Sequence, residues 1–123
     1  MLDLIRKRRF PLIGHAGGVW SFVHVEDAAE ATVIAVERAG RGIYNIVDDE
    51  PAAVAEWLPV LARAVGARAP MRVPRVVGRL LGGDVAVSVV TEIRGAANDK
   101  AKRVLGWEPA HPTWRTGFAQ ELA

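Results

Sequence analysis

Apolar residues recur at helical spacing in one segment of the chain, and this segment constrains the fold most strongly. The positions follow i, i+3, i+4, i+7, i+8 and i+11 and are held by Val54, Trp57, Leu58, Leu61, Ala62 and Val65. Such a stripe lies on one face of an α-helix and has to be buried against another element. A helix that begins near Ala55 would place Pro59 in its first turn, where a missing N–H breaks no intrahelical bond. Gly66 is expected to end this helix.

Shorter elements are predicted on both sides of this helix. Residues 2–9 indicate the tail of a helix, 10–13 an extended run, 14–18 a glycine-rich loop and 19–25 a strand. Residues 71–73 predict a short extended piece, and Pro74 suits the first position of a helix that continues to Leu81. Residues 85–90 leave two alternatives open, because their β-branched side chains favour a strand and their position favours a helix.

A second helix is expected to begin at Asp27. Its carboxylate would accept N–H groups at the helix start, and Glu30, three residues later, would complete a capping box. Ala29, Val33 and Val36 would then form the apolar stripe of this helix.

Glycine is expected to end the second helix, at Gly40 or Gly42. Residues 43–47 would follow as a mostly buried strand. A short helix over residues 99–105 and a last helix capped by Thr113 complete the chain. This order predicts a mixed α/β (α+β) fold, mostly helices with a few short strands.

Length and composition limit the classes of protein. A chain of 123 residues suggests a single domain spanning 1–123. No apolar run reaches the length that a bilayer requires, so no membrane partner is expected. Cysteine is absent, which excludes disulfides and thiolate metal sites and fits a cytoplasmic location.

The net charge of +2 is too small to demand an anionic partner. The basic cluster at residues 6–9 is one candidate for a nucleic-acid patch. A solvated helix end is the preferred interpretation, because cations are favourable near a helix C-terminus and no interleaved aromatic residues accompany the cluster. No nucleic-acid partner is therefore expected.

Two signals of oxidoreductase chemistry are absent from the residues. Gly14, Gly17 and Gly18 resemble a dinucleotide-binding loop, but Trp20 stands where a third glycine is needed, and the following segment favours a strand over a helix. The chain contains one tyrosine, Tyr44, and position 48, four residues later, is an aspartate where a catalytic lysine would stand. We therefore predict no catalytic residue and no cofactor-binding residue in this chain.

Histidine and acidic residues lie close together at His24, Glu26 and Asp27. A zinc site needs three or four convergent ligands, whereas Asp27 is assigned to the helix cap, so no metal site is predicted. His15 and His111 fall in loops without an identified partner.

Three motifs, in the same order as in a known family, carry a resemblance. The segments read FPLIG at residues 10–14 with WSFVHVEDAA at 20–29, GIYNIV at 42–47, and KA at 100–101 with LGWEP at 105–109. They resemble the extended short-chain dehydrogenase/reductase family, the NAD-dependent epimerase/dehydratase group. All belong to the C-terminal part of that family, and the resemblance covers nearly the whole chain.

The resemblance implies a substrate-binding part without the Rossmann domain. In the family that N-terminal domain binds NAD or NADP and carries the catalytic Ser, Tyr and Lys, so it is expected to be absent here. Residues Pro11, Leu12 and Ile13 resemble the stretch that contacts the nucleotide base in sugar-nucleotide epimerases. In those enzymes an arginine binds the pyrophosphate at the position that Trp20 occupies here. An indole offers one neutral donor and cannot replace that cation, so a more apolar substrate is expected. Arg94 lies near the position of a second phosphate-binding arginine.

Two functions follow from this resemblance. The first is the substrate-binding part of an NAD(P)-dependent epimerase, dehydratase or reductase, inactive alone and without a cofactor of its own. The second is a stand-alone binding or structural module that associates with itself or with a Rossmann-containing partner, because the missing domain would leave apolar surface uncovered. Trp20, in a strand beside the glycine loop, is the best candidate to line a pocket.

Overall fold

The structure, a computed structural model, describes residues 1–38 and 41–122. In chain order the elements are α1 (Leu2–Arg6), β1 (Leu12–Ile13), β2 (Val19–Trp20), α2 (Val25–Glu37), β3 (Ala52–Ala53), α3 (Val54–Ala64), β4 (Arg72–Val73), α4 (Arg75–Thr91), a π-helical turn (Ala101–Leu105) and α5 (Trp114–Glu121). β1 pairs in parallel with β4, and β2 pairs antiparallel with β3. The predicted mixed fold of helices with a few short strands is confirmed.

Helix α3 is the centre of the larger core cluster. Trp57, Leu58 and Leu61 are almost wholly buried, so the predicted apolar stripe is confirmed. Gly66 follows the helix with φ of 68°, the left-handed conformation expected beyond a helix end. The expectation for Pro59 is wrong: it lies inside the helix, beyond the first turn. The helix begins at Val54 because β3 leads into it without a connecting loop.

The start of α2 differs from the prediction. The helix begins at Val25, and His24 is its N-cap, with Nδ1 accepting the Glu26 N–H at 3.3 Å. Asp27 is therefore not the cap. It lies in the first turn, is 1% exposed and accepts hydrogen bonds from another part of the chain. Glu30 consequently has no capping box to complete.

The predicted apolar stripe of α2 is also wrong. Val33 and Val36 are exposed by 55% and 78%, whereas Ala31 is buried against the second core cluster. That cluster consists of Ala31, Ala101, Leu105 and Trp107. The contacts of α2 thus lie on the side of Ala31, where Ile34 and Ala35 also pack, whereas Val33 and Val36 face outward.

Two strand predictions fail for lack of a neighbouring strand. The predicted strand over residues 19–25 is regular only at Val19–Trp20, which pairs with β3. The run 43–47 forms no strand among the described residues, and Ile43 is 86% exposed. A strand needs a hydrogen-bonding partner along its edge, and for 43–47 the described residues supply none. Of the two glycines predicted to end α2, Gly40 lies outside the described residues.

Helix α4 resolves the segment that the sequence left open. Residues 75–82 and 84–91 are both helical, and they meet at a kink at Gly83, whose φ is 76° and ψ is −179°. Pro74 is the N-cap and not the first helical residue. At the end of the chain, Thr113 Oγ1 accepts the Arg115 N–H at 3.2 Å, which confirms the predicted cap of α5.

Candidate functional site

A largely apolar groove of about 400 Å³ runs between the N-terminal segment and α4. Pro11, Ile13 and Trp20 form one wall. The opposite wall comes from α4, through Gly78, Leu81, Gly82, Val85, Ala86, Val89 and Val90. Concave apolar surfaces with few polar groups are typical of sites for small organic ligands.

Close backbone packing fixes the floor of this groove. Ile13 lies on β1, and Leu12 N–H and Gly14 N–H donate to Met71 and Val73 carbonyls on the neighbouring strand at 2.8 and 2.9 Å. A Cβ atom at Gly78 would lie 2.6 Å from Ile13 Cγ2, so α4 can approach β1 this closely only with glycine at position 78.

The indole of Trp20 is held in one orientation. Its Nε1–H donates to the Val89 carbonyl at 2.9 Å, and its ring lies 4.8 Å from the ring of Trp57. The donor is therefore satisfied inside the protein, and the indole offers the groove an apolar surface. This position agrees with the expectation that Trp20 lines a pocket.

Among the residues that the structure describes, Arg9 is the one charged residue that lines the groove. Its side chain is exposed, and no acidic side chain of residues 1–38 or 41–122 lies within salt-bridge distance of it. The groove thus combines apolar walls with one cation. A ligand with an aromatic or aliphatic body and one anionic group matches this arrangement.

The predicted substrate-binding residues separate into two groups. Pro11, Ile13 and Trp20 come together in the groove. Leu12 is buried at 7% exposure in the larger core cluster and does not line the groove. Arg94 is exposed in the loop after α4 and also lies outside the groove, because Val19 and Pro51 pack beside the next residue and hold this loop elsewhere.

Arg9 and the glycines of α4 were missed by the sequence-based reasoning. The sequence assigns Arg9 to the solvated basic cluster at residues 6–9, and no local pattern distinguishes it from the other basic residues there. Gly78 and Gly82 carried a usable signal, since two glycines four residues apart on an apolar helix allow another segment to approach closely.

The glycine loop before β2 has a packing role. A Cβ atom at Gly18 would lie 2.7 Å from the Val90 carbonyl oxygen, and Gly18 N–H donates to that oxygen at 2.9 Å. The loop leads directly into strand Val19–Trp20, and the N–H groups of Val54 and Ala55 at the start of α3 donate to its Gly18 and Ala16 carbonyls at 2.9 Å. The expectation that this loop does not bind a dinucleotide stays a prediction.

Tyr44 does not form the tyrosine–lysine pair of a reductase. Its hydroxyl donates to the Arg41 carbonyl at 3.2 Å, and Lys100 Nζ lies over the ring face, 4.8 Å from the centroid. Lys100 itself donates to the Ile43 carbonyl at 2.8 Å. A lysine that tunes a catalytic phenol has to act at the hydroxyl, so this cation–π contact serves packing.

A second groove of about 400 Å³ lies between the start of α2 and α5. His24 and His111 stack at its rim with ring centroids 3.8 Å apart, and Asp48 lies in its wall. Burial raises the pKa of the Asp48 carboxyl to about 6, against hydrogen bonds from backbone N–H groups that lower it. His111, for which the sequence indicated no partner, contacts Asp27 and Glu26.

No protein-family model matches the chain, but individual proteins do. A 3-diazoavenalumate denitrifying reductase from a Streptomyces species is 45% identical over 113 residues, which are 92% of this chain and 37% of that protein. A conserved protein of unknown function from Silicibacter pomeroyi superposes with a TM-score of 0.72 and 28% identity, over 91% of this chain and 40% of the other.

A human epimerase family protein, SDR39U1 (isoform 2), whose structure contains NADPH, superposes with a TM-score of 0.76. The match covers 99% of this chain and 41% of the human protein at 21% identity, so it bears on the fold. This chain spans about two fifths of the length of the relatives it matches. Among the described residues, no helix has both the length and the apolar character needed to cross a membrane. The resemblance indicated by the motifs is confirmed to this extent: over nearly its whole length the chain is similar in sequence to part of a protein named a reductase and in fold to part of an epimerase family protein.

Proposed function

We propose that this chain is the substrate-binding part of an NAD(P)-dependent reductase and that its apolar groove holds the substrate. The observation that carries the proposal is the wall formed by Pro11, Ile13 and Trp20, opposite the kinked helix α4. The relative at 45% identity is named a reductase, and the human neighbour is an epimerase family protein with NADPH. Both names support nicotinamide-dependent chemistry in the longer protein.

The preferred substrate is an apolar molecule with one carboxylate. Arg9 supplies a guanidinium at the groove, and an arginine binds a carboxylate through two parallel hydrogen bonds. The name of the Streptomyces relative describes a carboxylate with a diazo group as its substrate. Within residues 1–38 and 41–122 no second cation lines the groove, which disfavours the pyrophosphate of a nucleotide sugar.

Titration calorimetry with trans-cinnamate, and with its neutral amide as the matched probe, tests this assignment. We expect the carboxylate to bind the chain and the Arg9→Gln variant to bind it about tenfold more weakly, as expected for loss of a charge-assisted hydrogen bond. Affinity for the amide should not change in this variant. Arg94→Gln is the matched control and should leave both affinities unchanged. Equal losses in the two arginine variants, or no binding of either probe, would contradict the proposal.

The chain by itself is proposed to be inactive and to bind no cofactor. It contains no tyrosine–lysine pair, and its glycine loop leads into a strand. Calorimetric titration with NADPH and with NADH should therefore give no binding. Tight binding of either nucleotide by this chain alone would overturn this part of the proposal. The cytoplasmic location predicted from the sequence stays a prediction.

A second candidate function is a module that binds itself or a Rossmann-containing partner. The outward face of α2 favours it, with Val25, Val33 and Val36 exposed by 77%, 55% and 78%. Contiguous apolar surface of this kind is typical of interaction sites. Since the chain spans about two fifths of its relatives, the remaining part of such a protein is the partner that we propose for this face.

Sedimentation and light scattering over a range of concentrations test the second candidate. We expect self-association of the wild-type chain and loss of that association in Val33→Glu, because a charge on this face cannot be buried without a partner. Gln120→Glu on α5 is an exposed position that adds the same charge as a control. A monomer at all concentrations that also fails to bind a separately produced Rossmann domain of a relative would exclude this function.

A further inference from the structure

Three metal-ligand side chains meet at a place that the proposed function does not use. His24 precedes α2, Glu26 lies in its first turn, and His111 lies in the loop before α5. One donor atom from each of the three lies within 4.8 Å of the other two. The groove between β1 and α4 contains none of these residues.

The buried carboxylate of Asp27 fixes the orientation of His111, one of these three residues. Its carboxylate is 1% exposed, and it accepts the backbone N–H groups of Ala110 and His111 at 2.8 and 2.9 Å. The same carboxylate lies 3.3 Å from Nδ1 of His111. A buried carboxylate at this distance favours the proton on Nδ1, which leaves Nε2 with a free lone pair. Such a carboxylate–histidine pair accompanies most histidines that ligate metals.

The free nitrogen lies close to the carboxylate of Glu26. His111 Nε2 lies 3.9 Å from Glu26 Oε2, and His24 Nδ1 lies 4.0 Å from the same oxygen. Ligands about 2 Å from a tetrahedral ion lie about 3.3 Å apart, so the carboxylate oxygen has to move roughly 0.6–0.7 Å closer to each of these nitrogens. The donor atoms of the two histidines lie within 4.8 Å of each other and have to approach by up to about 1.5 Å. The two imidazole rings, now stacked within 17° of parallel, have to tilt so that their lone pairs converge, and His24 Nδ1 has to release the Glu26 N–H that it accepts at 3.3 Å. Glu26 is largely exposed and is free to move inward.

We propose that His24, Glu26 and His111 bind one divalent transition-metal ion of the Zn²⁺ class, which joins the start of α2 to the loop before α5. Two imidazoles and a carboxylate are ligands that such ions prefer, and the set leaves a coordination position for water. Mg²⁺ and Ca²⁺ prefer oxygen ligands and are not expected to bind here.

Zn²⁺ titration of the wild-type chain and of three single variants tests the site. We expect one Zn²⁺ per wild-type chain, and at least a tenfold loss of affinity in His111→Ala and in Glu26→Gln. His15→Ala is the matched control, because His15 is the third of the three histidines and lies in the glycine loop. Its affinity should equal that of the wild type. Co²⁺ in place of Zn²⁺ should give the absorption of a tetrahedral nitrogen and oxygen site, lost in His111→Ala.

Glu26→Gln keeps the test decisive if His111→Ala does not fold, since the Glu26 side chain is 75% exposed. Circular dichroism of each variant confirms that the fold is retained. Wild-type binding no tighter than that of His111→Ala, or an equal loss in His15→Ala, would overturn the site. The result is independent of the proposed function, because cinnamate binding and Zn²⁺ binding involve different residues.

Discussion

At the scale of single residues, Asp27 shows how a tertiary contact can replace a local one. An aspartate near a helix start suggests a cap, yet its oxygens accept N–H groups that lie more than eighty residues later in the chain. The backbone carbonyl of Asp27 also accepts the Trp107 Nε1–H at 3.1 Å. His24 is left to cap the helix with its ring nitrogen.

Asp27→Asn should lower the free energy of unfolding by about 1–3 kcal/mol. Each carboxylate oxygen accepts one backbone N–H, so an amide nitrogen in place of either oxygen leaves a donor facing a donor. Urea unfolding measures the difference. Glu30→Gln, at an exposed position of the same helix, should change stability by no more than about 0.5 kcal/mol. Equal stability of the two variants would show that the buried contacts contribute little.

Asp48 makes stability depend on pH in a definite direction. Burial raises the pKa of its carboxyl from 3.8 to about 6 in the folded chain. Between these values the folded state binds the proton more tightly than the unfolded state, so this group destabilises the fold progressively as the pH rises from 3.8 through about 6.

Asp48→Asn should therefore be more stable than the wild type at pH 7. The amide oxygen can still accept the Glu50 N–H, which Asp48 Oδ1 accepts at 3.1 Å, and no charge has to be buried. The advantage should shrink as the pH falls below about 6 and vanish below 3.8. Chemical unfolding of both proteins across this range gives the comparison. An advantage that is independent of pH would point to a cause other than ionisation.

At the scale of elements, the sequence predicted α3 well and α2 poorly. The stripe of α3 is large and apolar, so any fold has to bury it, and the structure buries Trp57, Leu58 and Leu61. The apolar residues of α2 are mostly Ala and Val, which are smaller than the Trp and Leu of α3, and the neighbours that cover the helix decided which side is buried. Trp107 and Leu105 cover the side of Ala31, which leaves Val33 and Val36 outside.

Gly83→Ala should destabilise the chain by about 1–3 kcal/mol. No atom would obstruct the new Cβ within 4 Å, so the cost comes from the backbone, whose φ of 76° a residue with a side chain rarely adopts. Gly117→Ala in α5 is the matched variant. It also has open space but no positive φ, and it should stabilise the helix by about 0.5–1 kcal/mol. Thermal unfolding of both variants should show opposite shifts, and equal shifts would contradict the strain at Gly83.

At the scale of the whole molecule, two tryptophans mark two separate core clusters. Trp57 lies in the larger one, beside Phe10, Trp20 and Phe22 at ring distances of 4.8–6.3 Å. Trp107 lies in the smaller one, against α2. Both indoles are 0% exposed, but they differ in their polar atom. Trp107 Nε1–H donates to Asp27, whereas Trp57 Nε1 finds no acceptor within residues 1–38 and 41–122.

Trp107→Phe should cost about 1 kcal/mol more than Trp57→Phe. Both changes remove similar apolar area, but only the first removes a hydrogen bond, while the second removes a donor that has no acceptor among the described residues. Urea unfolding of the two variants at one pH measures the difference. A larger loss of unfolding free energy in Trp57→Phe would mean that packing among the aromatic rings contributes more than the hydrogen bond of Trp107.

The exposed apolar side chains form a pattern over the whole molecule. Val36 on α2, Leu80 on α4 and Ile43 in the predicted strand are all more than three quarters exposed. The chain spans about two fifths of the length of the relatives it matches. We therefore propose that these exposed apolar side chains contact other residues in a longer protein of this kind. The apolar pattern of residues 43–47 predicts a buried strand. The described residues supply no sheet for such a strand, and in our proposal the longer protein supplies it.

The sequence by itself determined what short-range chemistry and the size of apolar side chains decide. It predicted α3, the glycine after it, the cap at Thr113 and the resemblance to an epimerase or reductase family, because these depend on residues close together in the chain. Only the tertiary structure decided the side of α2 that is buried, the role of Asp27, and the meeting of His24 with His111. Those outcomes depend on contacts between segments about eighty residues apart, and no local pattern encodes which segments meet.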